Sequence, residues 1–277
     1  MSDPVMLHVE EHSTLGRPVV LIHGWPLSSA AWEHQIDALT EEGYQVIAYD
    51  RRGFGKSDKP GTGFDYDTLA EDLSRLMDDR DLRDVTLVGF SMGGGEVARY
   101  VGNHGQDRLR SVVFAAAVPP FLMQGEDNPD GPLTQEAADE FERALKSDRD
   151  AFFDDFTRQF FSAGDDLKVS EEERQKALSL CKQSSEAAAL GCMQAWATTD
   201  FREDLKKIKV PSLVLHGDAD GIVPIEGSGQ RTHEMVAGSQ MHVIEGAPHG
   251  CNVSHAQDFN RALVSFLKET DKSPLPV

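Results

Sequence analysis

Gly89-Phe90-Ser91-Met92-Gly93 sets one hydroxyl between two glycines, each two positions away. The apolar run Val85-Thr86-Leu87-Val88 leads in, and the helix-compatible stretch Gly94-Gly95-Glu96-Val97-Ala98-Arg99-Tyr100 follows. A serine on so tight a strand-to-helix turn is expected in a strained backbone conformation. The glycines remove Cβ atoms that would otherwise collide there. Such a turn lifts Ser91 Oγ above the sheet edge and leaves the Met92 N–H free at a helix N-terminus. Nucleophile and oxyanion donor then come from adjacent residues. The plainer reading, a glycine-rich turn with a capping serine, leaves the agreement of strand, spacing and helix unexplained.

A serine hydroxyl needs a base within hydrogen-bond reach and a third group to orient that base. Ten histidines compete, and position selects His249 in Gly246-Ala247-Pro248-His249-Gly250, a loop after the last strand. His216 ends a strand and reads as structural, while His233, His242 and His255 sit in patterns that look exposed. The acid lies in His216-Gly217-Asp218-Ala219-Asp220-Gly221-Ile222-Val223-Pro224. Asp218 falls directly after the strand, where an aspartate commonly closes a turn on backbone N–H groups. Asp220 is farther out, nearer the histidine loop, and is the expected partner of His249. The order Ser, Asp, His is one in which this chemistry recurs. A second oxyanion donor is expected in His23-Gly24-Trp25, with the Trp25 amide facing the nucleophile beside that of Met92. Pro26 follows and removes a donor next to the reacting centre.

The elements that must carry these groups alternate between strand and helix. Residues 5–10 alternate apolar and polar, as an edge strand does. Residues 17–23 and 44–50 are continuous apolar runs, suited to strands buried on both faces of a parallel sheet. Helices are expected at residues 28–40, with Trp32, Ile36 and Leu39 inward, and at 67–79, with Leu69, Leu73, Leu76 and Met77 inward. Residues 109–116 form another strand. From about 121 to 209 no convincing strand appears, only helical periodicity at 137–145, 150–161, 171–181 and 187–197. The alternation resumes with strands at 212–216 and 241–245 and helices at 227–236 and 256–268, and residues 271–277 are expected to fray. This is an α/β chain: a mostly parallel sheet with helices on both faces, residues 1–118 and 210–277 forming a core domain and 119–209 a helical cap. His23-Gly24-Trp25, Ser91, Asp220 and His249 all follow strands, so they should gather at one sheet edge.

With 277 residues the chain is long enough to bury a sizeable core. Its formal charge of −20, from 47 acidic against 27 basic residues, argues against nucleic acid or an anionic membrane surface as partner. No signal-peptide pattern and no membrane-length apolar run is seen. Cys181, Cys192 and Cys251 lack metal-ligand spacing and read as free thiols in a reducing cytoplasm.

At this point the chain resembles the α/β-hydrolase fold, and within it the cofactor-free bacterial haloperoxidase (perhydrolase), arylesterase and γ-lactamase group. The resemblance rests on His23-Gly24-Trp25-Pro26-Leu27, Gly53-Phe54-Gly55-Lys56-Ser57, residues 89–100 with their triple glycine and Glu96, residues 216–224, and Ala247-Pro248-His249-Gly250. Thr199-Asp200-Phe201 with Asp204-Leu205 adds to it, and it runs over essentially the whole chain. It implies Ser91, Asp220 and His249 as triad, Trp25 and Met92 as oxyanion hole, and no cofactor or metal. It implies a small ester as substrate, hydrogen peroxide as an alternative to water, and a lactone or lactam as the competing substrate class. A ligand-binding or signalling protein on the same scaffold is the rival from another class; its mark would be a damaged triad or oxyanion loop, and this chain has neither. Related proteins are often homo-oligomers.

Two departures stand out. The segment before Arg17 is short for two leading strands, so the sheet is expected to lack its first edge strand. Cys251 stands two residues after the histidine, where an aromatic is more usual, and is expected to widen or soften the acyl pocket. Phe121, Phe152, Phe153, Phe160, Phe161, Met193, Trp196, Ile222 and Val223 are candidates for that pocket's lining, each with ordinary core packing as the alternative.

Overall fold

The computed structural model describes residues 4–272. The first half of the chain supplies strands β1 (Val9–His12), β2 (Pro18–Ile22), β3 (Gln45–Tyr49), β4 (Val85–Phe90) and β5 (Leu109–Ala115). Helices α1 (Glu33–Glu41), α2 (Tyr66–Asp79) and α3 (Met92–His104) connect them. Between β5 and the next sheet strand come α4 (Gln135–Ser147), α5 (Arg149–Phe160), α6 (Glu171–Lys182), α7 (Glu186–Thr198) and the single turn α8 (Arg202–Leu205). A two-residue hairpin, β6 (Ser162–Ala163) with β7 (Asp166–Leu167), joins α5 to α6. The chain then returns through β8 (Ser212–Gly217), α9 (Gly229–Met235), β9 (Gln240–Ile244), α10 (Cys251–Ser254) and α11 (Ala256–Asp271).

Seven strands make one sheet in the order β1-β3-β2-β4-β5-β8-β9. Only β1 runs antiparallel to its neighbour. The fold is therefore the expected mostly parallel sheet, and β1 stands at its edge with no strand beyond it among the described residues. The strands nearest the site, β4, β5 and β8, are buried along their whole length, which is why their sequences read as unbroken apolar runs. Trp32, Ile36 and Leu39 pack inward from the first helical segment, and Leu69, Leu73, Leu76 and Met77 from α2.

Helix starts follow local chemistry. Asp65, Thr134, Asp148, Ser170 and Ser185 cap α2, α4, α5, α6 and α7, each side chain accepting an N–H from the first turn. Each such cap stabilises its helix by about 1 kcal/mol. Ser91 stands at the same position of α3 yet makes no capping bond, because its hydroxyl is engaged elsewhere.

The structure differs from the sequence reading in a few places. The edge strand lies at Val9–His12, not 5–10, because Met6 and His8 hydrogen-bond to the loop after β3 instead of to a strand. The helix expected at 28–40 opens as a 3-10 turn, Ser29–Trp32, before α1 begins. The β6–β7 hairpin was not expected in a helical region. Asp271 does not fray: as the last residue of α11 it accepts hydrogen bonds from Arg17 and from the Tyr44 hydroxyl at 2.7 Å. Lys272 caps α11, its backbone N–H donating to the Glu269 carbonyl, and residues 273–277 of the expected frayed tail lie outside the described residues.

Candidate active site

Ser91 sits between β4 and α3 with φ +53° and ψ −118°, the strained backbone the spacing requires. A Cβ on Gly89 would come within 2.4 Å of the Gly93 carbonyl oxygen, and one on Gly93 within 2.3 Å of the Ile22 oxygen. No real side chain tolerates such contacts, so both positions accept only glycine. This closeness brings the end of β2 and its following loop against the start of α3. Met92 is the first residue of α3, where helical geometry gives the N–H no intrahelical partner.

The loop after β9 carries His249 back to Ser91. His249 Nε2 lies 2.9 Å from Ser91 Oγ, and His249 Nδ1 lies 2.7 Å from Asp220 Oδ2. The carboxylate can only accept, so Nδ1 carries the proton and Nε2 is left to accept from the serine hydroxyl. Asp220 Oδ1 accepts the amides of Ile222 at 2.9 Å and Val223 at 2.8 Å. Burial alone would push the Asp220 carboxyl up, but the neighbouring His249 and His216 hold it well below the usual carboxylate range. It stays ionised and acceptor-only. Asp218 instead accepts the Gly246 amide at 2.6 Å, closing the turn as the sequence suggested. His233, His242 and His255 are half-buried rather than exposed and pair locally with Ser239, Asp258 and Ser254. Phe90 and Phe160 pack on the His249 ring, with centroids 5.3 and 5.0 Å away.

The loop bearing Trp25 is held from beneath by buried charges. Arg51 Nη2 donates to the His23 carbonyl at 2.6 Å, and the Arg51 amide donates to His23 Nε2 at 3.0 Å. That leaves His23 Nδ1 to donate to the Gly24 carbonyl at 2.8 Å. The Arg51 guanidinium is paired with Glu96 of α3, which also accepts the Tyr49 hydroxyl at 2.7 Å. Arg51 and Glu96 are each 1% exposed at the side chain. Burial, and then the adjacent Arg51, push the His23 ring down to about 3, so it is neutral at neutral pH. From above, Trp25 Nε1 donates to the Ala189 carbonyl at 2.9 Å, and Phe152, Phe153, Phe156 and Trp196 meet its ring edge-on.

Ser91 and His249 open into a cavity of about 210 Å³ walled by Trp25, Val118, Leu122, Leu133, Phe141, Phe156, Trp196, Ile222 and Val223. A 150 Å³ apolar cavity holds benzene, so this one has room for a substituted ring or a short chain. Apart from Ser91 and His249, Gln159 brings the one side-chain amide to the lining. Of the lining anticipated from sequence, Trp196, Ile222 and Val223 are there. Phe121, Phe152, Phe153, Phe160, Phe161 and Met193 pack elsewhere. Cys251 does not reach the cavity either: it is fully buried at the start of α10, so it neither widens nor softens the pocket. Cys181, Cys192 and Cys251 are free, as expected, and all three are buried. Phe156, missed by the sequence reading, sits four residues from both Phe152 and Phe160, and that helical spacing was its available signal. Val118, Leu122 and Leu133, from the segment between β5 and α4, gave no comparable pattern.

Among the described residues no group of three or more His, Cys, Asp or Glu could hold a metal ion, and no helix is long and apolar enough to cross a membrane.

Comparison with known proteins matches the alpha/beta hydrolase fold family to residues 17–256. A bromoperoxidase from Bacillus anthracis superposes with TM-score 0.94 at 50% identity, covering 96% of each chain. A non-heme chloroperoxidase of Kitasatospora aureofaciens is 43% identical over 257 residues, 92% of this chain and 93% of that one. A bifunctional esterase/perhydrolase of Acinetobacter calcoaceticus is 35% identical over 269 residues, 96% and 97% of the two chains.

Proposed function

The chain belongs to the alpha/beta hydrolase fold family, and from that premise we propose that it hydrolyses small carboxylic esters through an acyl-serine at Ser91, with perhydrolysis as a second outcome. The observation that carries this reading is the relay of 2.9 and 2.7 Å from Ser91 through His249 to Asp220, opening on a small apolar cavity. The names of the relatives, peroxidases and an esterase/perhydrolase, favour the same chemistry.

Ser91 Oγ attacks the ester carbonyl as its proton passes to His249 Nε2. Asp220 holds the imidazole in the Nδ1–H tautomer and stabilises the imidazolium. The Trp25 and Met92 amides receive the oxyanion; losing one such donor typically costs about 3 kcal/mol of transition-state stabilisation. The bond to the alcohol oxygen breaks and His249 returns the proton to it. Water, deprotonated by His249, then adds to the acyl carbon and releases the acid and free Ser91. Hydrogen peroxide in place of water releases a peracid. In solution the terminal OH of the peracid passes to halide, giving hypohalous acid and the parent carboxylate.

Residues 119–209 act as the cap that sets substrate size, and the apolar walls favour short-chain or aryl esters. The substrate is a small molecule, and a cytoplasmic setting suits the three free thiols. Assembly as a homo-oligomer fits the resemblance noted above.

The test is turnover of p-nitrophenyl acetate, a lactone, a γ-lactam and a peroxide–bromide–acetate mixture by the purified protein and by Ser91→Ala. We expect the ester to be the best substrate, and every activity to fall to background in the variant. Equal turnover by the two proteins rules the reading out. A lactone or lactam preferred over all esters moves the substrate class and leaves the triad standing.

A further inference from the structure

His216 is the last residue but one of β8 and is fully buried, yet it takes no part in the relay as usually drawn. Its Nε2 lies 2.9 Å from the Val223 carbonyl oxygen and 3.2 Å from Asp220 Oδ2. Its Nδ1 is buried with no hydrogen-bond partner among the described residues and faces the backbone of Gly229, where an added Cβ would come within 2.6 Å. An acceptor carbonyl on one nitrogen and nothing on the other fix the tautomer: Nε2 carries the proton and donates to Val223. The positive end of that N–H bond is also the one beside the carboxylate.

The Val223 contact closes a small circuit. Asp220 Oδ1 accepts the Val223 amide at 2.8 Å, and His216 takes the carbonyl of the same residue. His216 therefore holds Asp220 twice, once through the Val223 turn and once by direct charge–dipole contact with the oxygen that receives His249 Nδ1. Val223 also walls the cavity, so the same turn carries part of the substrate surface.

We propose that His216 is a positioning residue for Asp220, a second imidazole that fixes the orienting acid and spreads its charge away from His249. The proposal rests on the assignment of Ser91, His249 and Asp220 made above. The groups that face this acid–base pair are His216, the Ser91 hydroxyl and the thiol of Cys251. Burial, and then Asp220, push that thiol well above its ordinary value, so it stays neutral. With the His216 N–H removed, negative charge concentrates on the oxygen facing His249. The imidazolium form of His249 gains, and the acid limb of the pH profile moves to higher pH.

The experiment compares wild type, His216→Leu and His216→Gln, each corrected for active sites by fluorophosphonate titration, with Ser91→Ala as the blank, corrected by protein concentration. kcat and KM for p-nitrophenyl acetate are measured across pH. The leucine variant is expected to lose about tenfold in kcat with KM changed less than threefold, and its acid limb is expected to rise by about half a pH unit or more. The glutamine variant, whose side-chain amide can donate from the Nε2 position, should recover most of both. If His216→Leu does not fold, the glutamine variant is read against His216→Asn, whose shorter amide cannot reach, and only glutamine should preserve the limb. Acid limbs that coincide in all folded variants, or a glutamine variant no better than leucine or asparagine, overturn the proposal while leaving the triad intact. Wild-type turnover by Ser91→Ala overturns the triad itself.

Discussion

At the floor of the cavity the polar atoms of Ser91, His249 and Asp220 each have a partner between 2.7 and 2.9 Å away, supplied by side chains and amides on separate strand ends. At the roof, α5 and α7 meet Trp25 with four aromatic rings and a single hydrogen bond. The first region depends on direction and tautomer. The second depends on shape and area. Hydrogen-bonded relays fail when one atom changes, because the remaining partners are left buried and unpaired. Apolar walls lose contact area in increments and repack in part.

The sharpest way to break the comparison is Asp220→Asn at the floor. The amide presents a donor where His249 Nδ1–H needs an acceptor, so the imidazole is driven to the wrong tautomer. A loss of about 10⁴ in kcat with the fold intact is expected, read by ester turnover and circular dichroism. Next comes the support under the Trp25 loop. Arg51→Met leaves Glu96 buried without its cation and releases the His23 carbonyl. Unfolding in urea should show about 3–5 kcal/mol less stability, with reduced kcat in whatever remains folded.

The same support predicts a pH effect. The unfolded chain takes a proton on His23 below its ordinary 6.5, whereas the folded chain refuses it until about 3. Protons are thus bound more by the unfolded state across that window, and stability falls as pH drops through it. This ring contributes roughly 1.4 kcal/mol of loss per pH unit. Between pH 6.5 and 5 the wild-type unfolding free energy should fall more steeply than that of His23→Gln, and parallel slopes would remove His23 from the account. The smallest effect is expected at the roof. Phe156→Ala should shift preference toward longer or bulkier esters by roughly 10- to 100-fold in relative kcat/KM and leave the kcat for acetate esters within a few-fold.

The same contrast explains what could be read from sequence. The floor is built from residues whose type and local spacing are dictated by chemistry. Glycines at 89 and 93 are forced by contacts of 2.4 and 2.3 Å, and an aspartate two residues beyond a turn-closing Asp218 meets the histidine of the last loop. The strands feeding them are buried on both faces and so announce themselves as apolar runs. The roof carries no such marks. Phe153 and Phe156 lie on one helix and both touch Trp25, yet only Phe156 reaches the cavity. Which one does so is decided by how α5 lies across Trp25, a tertiary fact with no local signature. Cys251 shows the same limit: its position two residues after His249 suggested a pocket role, but the turn into α10 points it into the core. The buried Arg51–Glu96 pair was half visible, since Glu96 stood out after the triple glycine, but its partner forty-five residues earlier did not.

The central claim is that Ser91 is the nucleophile and that His249 and Asp220 activate it. Rapid quenching of the protein with p-nitrophenyl acetate, followed by peptide mass mapping, tests it most directly. The account predicts one acetyl group on the peptide containing Ser91, formed at the rate of the p-nitrophenol burst in wild type and at least a thousandfold more slowly in His249→Ala. Acetyl on another residue, or a burst that persists unchanged in His249→Ala, would contradict it.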